Sequence, residues 1–245
     1  MRYELMLPHQ IRDAIDRRLP CVLPIGVLEY HAEHLAVGMD TLAVDRSLAR
    51  LEAEMDLVVL PPFYYGAASY AVAPAVRNGT IQVGGEALAP FAKALFGSLL
   101  NIGFRNVHGI VHHQSENFWQ GMPTDLAFRT AARGAIFDFL DRTRGEGWWG
   151  REEMSDYYAR HAANSDPFNW IRIHPLMDAE LIAAYDFDHA GVGETSLMMA
   201  LCPEGVDMAR FDATPWYSRS AAQATQAYGD QAVTMILERL RRMFQ

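Results

Sequence analysis

Short apolar runs alternate with amphipathic helical stretches along most of this 245-residue chain, and no other feature constrains the fold as much. Cys21 to Ile25, Leu57 to Leu60 and Val107 to Val111 have the length and composition of buried strands. Between and after them, helical spacing runs from about Thr41 to Met55, from Glu86 to Ile102, from Thr124 to Arg142 and from Ser220 to Phe244. The second of these places Leu88, Phe91, Leu95 and Leu99 on one stripe and ends at Gly103, a natural C-cap. Alternation of this kind predicts an α/β layered fold.

With 50% hydrophobic and 21% charged residues, the chain can fill one large core, so a single domain over residues 1–245 is expected. A net charge of -9 opposes phosphate backbones and anionic bilayers, which excludes nucleic acid and membrane surfaces as expected partners. Cys21 and Cys202 lie far apart among apolar neighbours and read as buried thiols rather than a disulfide. No apolar run approaches the roughly 18 residues of a membrane span, and the N-terminal stretch lacks a signal-peptide core. The expectation is a soluble cytoplasmic protein. The segment 143–174, rich in Trp and Tyr, breaks the rhythm and reads as an insertion: a lid, an oligomer contact or a surface excursion packed by its own aromatics.

Two polar clusters follow apolar runs. Glu29-Tyr30-His31-Ala32-Glu33-His34, with Asp40 six residues on, comes after the first strand, and His112-His113-Gln114-Ser115-Glu116-Asn117 follows the third. Imidazole and carboxylate are the donors that Zn²⁺ and Mn²⁺ prefer. Two neighbouring strands would deliver both clusters to one rim, as a divided metal site. Glu29 and His31, two apart, leave an extended segment on the same face. Asp40 could equally cap the helix that follows it.

Leu23-Pro24-Ile25-Gly26 through Glu29, His31, His34-Leu35 and Asp40 resembles the signature of the creatininase family. Gly103-Phe104-Arg105-Asn106-Val107 leading to Gln114–Asn117 is similar to that family's second metal segment, and His189-Ala190-Gly191-Val192-Gly193-Glu194-Thr195-Ser196 to its third motif. The resemblance implies a three-layer α/β/α sandwich with a mostly parallel sheet, a hydrolytic metal site and a homo-oligomer, often a hexamer. It assigns Glu29, His31, Asp40 and Glu116 as ligands, with Asp40 bridging two ions, and leaves His34 to support a ligand. Gln114 stands where the family has a metal-binding His and is expected as a ligand through its amide oxygen, a weaker donor to zinc than imidazole and better suited to a harder cation such as Mn²⁺. A weakly held second ion, a substitution by His113 and a single ion all stay open, so the expected cofactor is one or two Zn²⁺ or Mn²⁺. The resemblance also places Glu194 and His189 as the catalytic proton-transfer residues, although Glu194 could serve only to stabilise the start of a helix near Thr195.

Ser115 replaces an aromatic that creatinine-hydrolysing relatives carry. With His113, Ser115 and Arg77 as substrate-binding candidates, hydrogen bonding to a hydroxylated ring is expected. The chain therefore reads as a metal-dependent hydrolase opening a small polar ring, a cyclic amide in the first place. The alternatives are carbon–carbon hydrolysis of a cyclic diketone derived from an inositol, as in 3-dehydro-scyllo-inosose hydrolases, and a non-catalytic binding protein for a small polyol. No Gly-x-Gly-x-x-Gly or P-loop stands at a strand-to-helix junction, so a dinucleotide is not expected.

Overall fold

The computed structural model describes residues 1–244. In chain order the elements are α1 (Pro8–Asp16), β1 (Cys21–Ile25), α2 (Met39–Leu51), β2 (Val58–Val59), α3 (Gly85–Ile102), β3 (Val107–Val111), α4 (Pro123–Arg144), α5 (Tyr157–Ala162), β4 (Ile171–Pro175), α6 (Ala179–Ala184), α7 (Val192–Leu201) and α8 (Gln226–Phe244). Four parallel strands pair in the order β2-β1-β3-β4.

Side chains leave the strands alternately, and the two faces of the sheet are covered by different helices. Cys21, Leu23, Ile25, Val107 and Val111 pack with α1, α3 and α4, among them Phe96 and Phe128, and with Phe104 just past α3. Val22, Val59 and Ile110 face α2, α7 and α8. The result is a three-layer α/β/α sandwich. Pro24 is tolerated inside β1 because of register. Val22 and Pro24 direct their backbone toward β2, where Leu60 and Phe63 donate to their carbonyls, and β2 ends at Val59, so the missing N–H costs no ladder bond.

Parallel register has the consequence that matters for function. Ile25 pairs with Val111, so β1 and β3 end side by side and the two polar clusters leave the same edge of the sheet.

The structure departs from the sequence expectations at particular places. Helix α2 starts at Met39, which takes Asp40 into its first turn instead of the cap position held by Gly38. Strand β2 shrinks to two residues before Pro61-Pro62. β4 was hidden inside the aromatic segment because Arg172 and His174 alternate with Ile171 and Ile173 on a partly exposed edge strand. The Trp148 indole donates to Asp141 at 2.8 Å, and Trp148, Phe168 and Trp170 pack into the core beside α4. A short 3-10 turn, Arg219–Gln223, replaces the expected first turns of the last helix. Both cysteines are free and buried, and burial pushes the Cys21 thiol up. Among the described residues no helix is long and apolar enough to cross a membrane.

Candidate metal centre

The loop between β1 and α2 folds tightly against its own helix. A Cβ on Gly26 would sit 2.5 Å from the Thr41 backbone nitrogen, so only glycine lets β1 end this close to α2. Glu29 N–H donates to the Val37 carbonyl at 2.9 Å, closing the loop around Tyr30 to Ala36. The left-handed φ of Ala32 (58°), Gln114 (50°) and Ala190 (54°) marks each of the three segments that build the site. Left-handed backbone in residues other than glycine costs of order 1 kcal/mol or more and gathers at functional sites.

Two donor sets share one carboxylate. Glu29, Asp40 and His113 converge on one side, and His31, Asp40 and Glu194 on the other, each set with its donor atoms within 4.8 Å of one another. His31 Nε2 lies 3.6 Å from both Asp40 Oδ2 and Glu194 Oε2. His113 Nδ1 lies 3.4 Å from Glu29 Oε2 and 3.7 Å from Asp40 Oδ2.

Backbone carbonyls set the ring orientations. His31 Nδ1 donates to the Glu29 carbonyl at 3.0 Å, His113 Nε2 to the Ala67 carbonyl at 3.2 Å and His189 Nε2 to the Tyr30 carbonyl at 3.0 Å. Each ring then presents its other, unprotonated nitrogen to the carboxylates when neutral, the arrangement found behind metal-binding histidines. His189 also stacks on His31 at 4.3 Å and forms a third donor set with Glu29 and His31.

Burial sets the electrostatics. It pushes the Glu29 carboxyl up to about 7, helped by the nearby Asp40 charge and opposed by His113. Burial also opposes ionisation of Asp40 and Glu194, but the imidazoles outweigh it: His31, His113 and His112 hold Asp40 below its ordinary value, and His31 and His112 do the same for Glu194. His113 is pulled down by burial and raised further by Asp40 and Glu29, to about 9. His31, wholly buried, stays below its ordinary value.

Of the residues proposed from sequence, Glu29, His31 and Asp40 come together. Glu116 joins none of these carboxylate–imidazole sets, and Gln114 lines the cavity beside them. The left-handed turn at Gln114 sends the chain into the 3-10 turn Ser115–Asn117, leaving Gln114 half-buried and Glu116 exposed on the wall of the adjoining cavity. His113 stands in the place expected for Gln114. Glu194, expected as a free acid-base group, is a member of the His31 set, and its Oε2 also accepts from Ala190 N–H at 2.7 Å. Ser115 is buried, with a hydroxyl that meets no partner, and Arg77 is exposed; neither lines the cavity. His34 supports the centre from outside, its Nε2 3.0 Å from the Thr195 hydroxyl.

Three features escaped the sequence reading. Asp188 accepts backbone N–H groups from Gly191, Gly193 and Glu194 at 2.8–3.2 Å, which ties the His189 loop to the start of α7. An Asp shortly before a Gly-rich helix start was the available signal. Burial and the Glu194 charge raise Asp188 to about 6. His112 lies 3.3 Å from Glu194 Oε1. Phe187, Trp216 and Tyr217 form an aromatic part of the wall of a cavity of about 470 Å³ that opens over Glu29, Asp40 and Glu194.

These residues fit a metal pair. Asp40 Oδ2 is buried and has no hydrogen-bond partner, although two imidazole nitrogens face it. Donors bound about 2.0–2.2 Å from a tetrahedral ion stand roughly 3.4 Å apart, close to the spacings here. The fold and site define an α/β protein with a cluster of candidate metal-binding carboxylates and imidazoles around one shared Asp.

The creatininase family, described as creatinine amidohydrolase, matches residues 4–240, and the chain belongs to that family. It is 27% identical over 191 residues to the creatinine amidohydrolase of Pseudomonas putida, covering 77% of this chain and 66% of that protein. A 3-dehydro-scyllo-inosose hydrolase from Thermotoga maritima is 27% identical over 112 residues, 44% of this chain and 35% of that one. The matches therefore span just under two thirds and about a third of these relatives' lengths. Among solved structures, a mutant creatininase of Zn-Zn type aligns with a TM-score of 0.70 at 19% identity, over 99% of this chain and 98% of that one. A Mn creatininase aligns with a TM-score of 0.69 at 18% identity over the same shares.

Proposed function

We propose that this protein is a metal-dependent hydrolase that opens a small polar ring, with a cyclic amide as the preferred substrate. The observation that carries the reading is Asp40, a buried carboxylate shared by two donor sets, with an oxygen that the protein itself leaves unsatisfied. Glu29, Asp40 and His113 would hold one ion, and His31, Asp40 and Glu194 the other. When bound, such ions polarise a carbonyl and acidify water, with either Zn²⁺ or Mn²⁺ suited to the donors.

The chain's own residues then divide the remaining work. Opening a cyclic amide adds water across the C–N bond, so one proton leaves the water and one reaches the departing ring nitrogen. His189 is the group for this transfer. Its Nε2–H is committed to the Tyr30 carbonyl, which leaves Nδ1 to accept the first proton and release it to the nitrogen. Asp188 holds the His189 loop through three backbone N–H groups. Gln114 and Glu116, on the wall of the cavity, supply hydrogen bonds that orient the ring.

A second reading, ring opening of a cyclic diketone by carbon–carbon hydrolysis, is favoured by the Thermotoga relative and uses the same residues for carbonyl polarisation and proton transfer. Turnover assays of the Mn²⁺- and Zn²⁺-loaded protein with creatinine and with the diketone test both. Hydrolysis of the amide alone supports the first reading, hydrolysis of the diketone alone the second. Stoichiometric metal with no turnover of either ring overturns both and leaves a binding protein.

A further inference from the structure

Trp216 is 79% exposed, yet it lines the cavity above the donor sets. An exposed indole beside a polar site is an unspent apolar surface. The segment carrying it is not slack. The buried Ser218 donates its hydroxyl to the Asp212 carbonyl at 3.1 Å and sits 3.3 Å from that of Pro215, and Arg219 Nε donates to the Ala213 carbonyl at 3.1 Å. Thr214 N–H donates to the Asp212 carboxylate at 2.8 Å. A backbone braced in this way loses little freedom on binding.

Ring contacts link Trp216 to the metal centre. Its indole stands 6.0 Å from Tyr217 at 84°, Tyr217 stands 5.4 Å from His189 at 73°, and His189 stacks on His31 at 4.3 Å. One continuous aromatic wall therefore runs from the cavity mouth to a residue of the donor sets. The opposite requirement, polar contact, is met by Glu29, Asp40, Gln114 and Glu116 in the same cavity.

Resting on the ring-hydrolase reading, we propose that Trp216 is a specificity-determining residue: its indole is the surface on which the face of a planar ring packs while the ring's carbonyl meets the donor sets. The aromatic expected at position 115 is thereby supplied from a different part of the chain. Ser115, buried away from the cavity, does not report on the substrate's hydroxyl groups. A puckered polyol offers an indole face only its C–H groups and gains less than a conjugated ring. A flat amide or ureide ring gains the full contact, so the wall selects flat rings.

The test uses the Mn²⁺-loaded protein, with creatinine and hydantoin as planar probes and myo-inositol as the puckered one, binding read by calorimetry and by indole fluorescence. Trp216→Ala should weaken the planar probes by roughly three- to tenfold, the worth of one aromatic contact, and weaken myo-inositol distinctly less; an equal loss for both classes of probe would remove the selectivity for flat rings. Trp216→Phe should recover most of the loss. Because the side chain is exposed, both variants should melt with the wild type. Planar probes that bind Trp216→Ala as tightly as the wild type overturn the role of Trp216 and leave the hydrolase reading standing. Wild-type protein that binds no planar probe, or prefers myo-inositol, also overturns it. The hydrolase reading fails separately, if the wild type turns over neither ring substrate.

Discussion

His113 Nδ1 faces Asp40 Oδ2 across 3.7 Å, beyond hydrogen-bond reach and near the spacing of two donors to one ion. Asp40 faces His31 Nε2 in the same way at 3.6 Å. A carboxylate placed between two imidazoles, each already oriented by a backbone carbonyl, gives the centre its shared ligand. Asp40→Asn keeps the shape of the side chain and removes its charge. It should cut the bound metal at both positions while the circular dichroism spectrum stays native. Elemental analysis after gel filtration checks this; unchanged metal in a folded variant would remove Asp40 from the centre.

His113 and Gln114 make opposite predictions. If His113 is the donor, His113→Ala should weaken the ion it shares with Glu29 by more than the roughly 10- to 100-fold that even supporting residues command. Gln114→Ala should leave metal stoichiometry intact and raise KM, because Glu29, Asp40 and His113 already supply a set of three donors and Gln114 lines the cavity beside them. Titration of the two metal-free variants with Mn²⁺ separates them. Loss of metal in Gln114→Ala with retention in His113→Ala reverses the assignment.

Metal uptake should depend on pH through His113. In the metal-free protein its imidazole is raised to about 9 by Asp40 and Glu29, so Nδ1 carries a proton at neutral pH that an ion must displace. The sign is definite. The raised folded-state value stabilises the metal-free chain fully below the ordinary histidine value of about 6.5, and this contribution is lost as pH rises through about 9. Apparent metal affinity, and the gain in Tm on adding metal, should both increase between those limits. Calorimetry in two buffers of different ionisation enthalpy should show proton release, with the release shrinking as pH approaches 9. A flat response would mean that His113 is neutral before the metal arrives.

Much of the fold was legible because buried strands have few ways to be written. Cys21–Ile25 and Val107–Val111 stand where their apolar runs placed them. The missed strand, Ile171–Pro175, is an edge strand whose Arg172 and His174 break the apolar run. At the site, Glu29, His31 and Asp40 were legible since donor chemistry and spacing agree within one loop. The choice between Gln114 and His113 stayed open in the sequence, because it depends on a left-handed backbone turn and on the Ala67 carbonyl, 46 residues away, that orients the His113 ring. The aromatic wall was out of reach for a similar reason: Trp216 lies in the long connection between the packed helices α7 and α8, and meets the cavity only in the folded chain.

That packing supplies a prediction in which two effects have opposite signs. Gly229 lies in the first turns of α8, where helix propensity alone would make alanine better by roughly 1 kcal/mol. A Cβ there would stand 1.8 Å from the Ser196 carbonyl oxygen of α7, which is backbone and cannot swing aside. Overpacking costs about 1–3 kcal/mol and should win. Gly229→Ala should therefore melt lower than the wild type, by several degrees in a thermal scan; a higher Tm would show that the two helices separate easily.

Glu194→Gln separates two roles for one carboxylate. If Glu194 were a free proton acceptor, the amide would keep the metal and lose most turnover, typically 10²- to 10⁴-fold. Its surroundings predict a ligand role instead. Its Oε2 lies 3.6 Å from His31 Nε2 and accepts from Ala190 N–H, while its Oε1 lies 3.3 Å from His112, so both oxygens are engaged and neither is free to shuttle protons. The amide keeps one neutral oxygen and turns the other donor position into an N–H₂, which repels a cation. The ion shared by His31, Asp40 and Glu194 should therefore be lost or greatly weakened, and the one held by Glu29, Asp40 and His113 should persist. One equivalent of metal by elemental analysis, with activity partly restored by excess Mn²⁺, is the expected result. Two tightly held equivalents with no turnover would return Glu194 to the proton-transfer role and leave His31 and Asp40 to hold their ion without it.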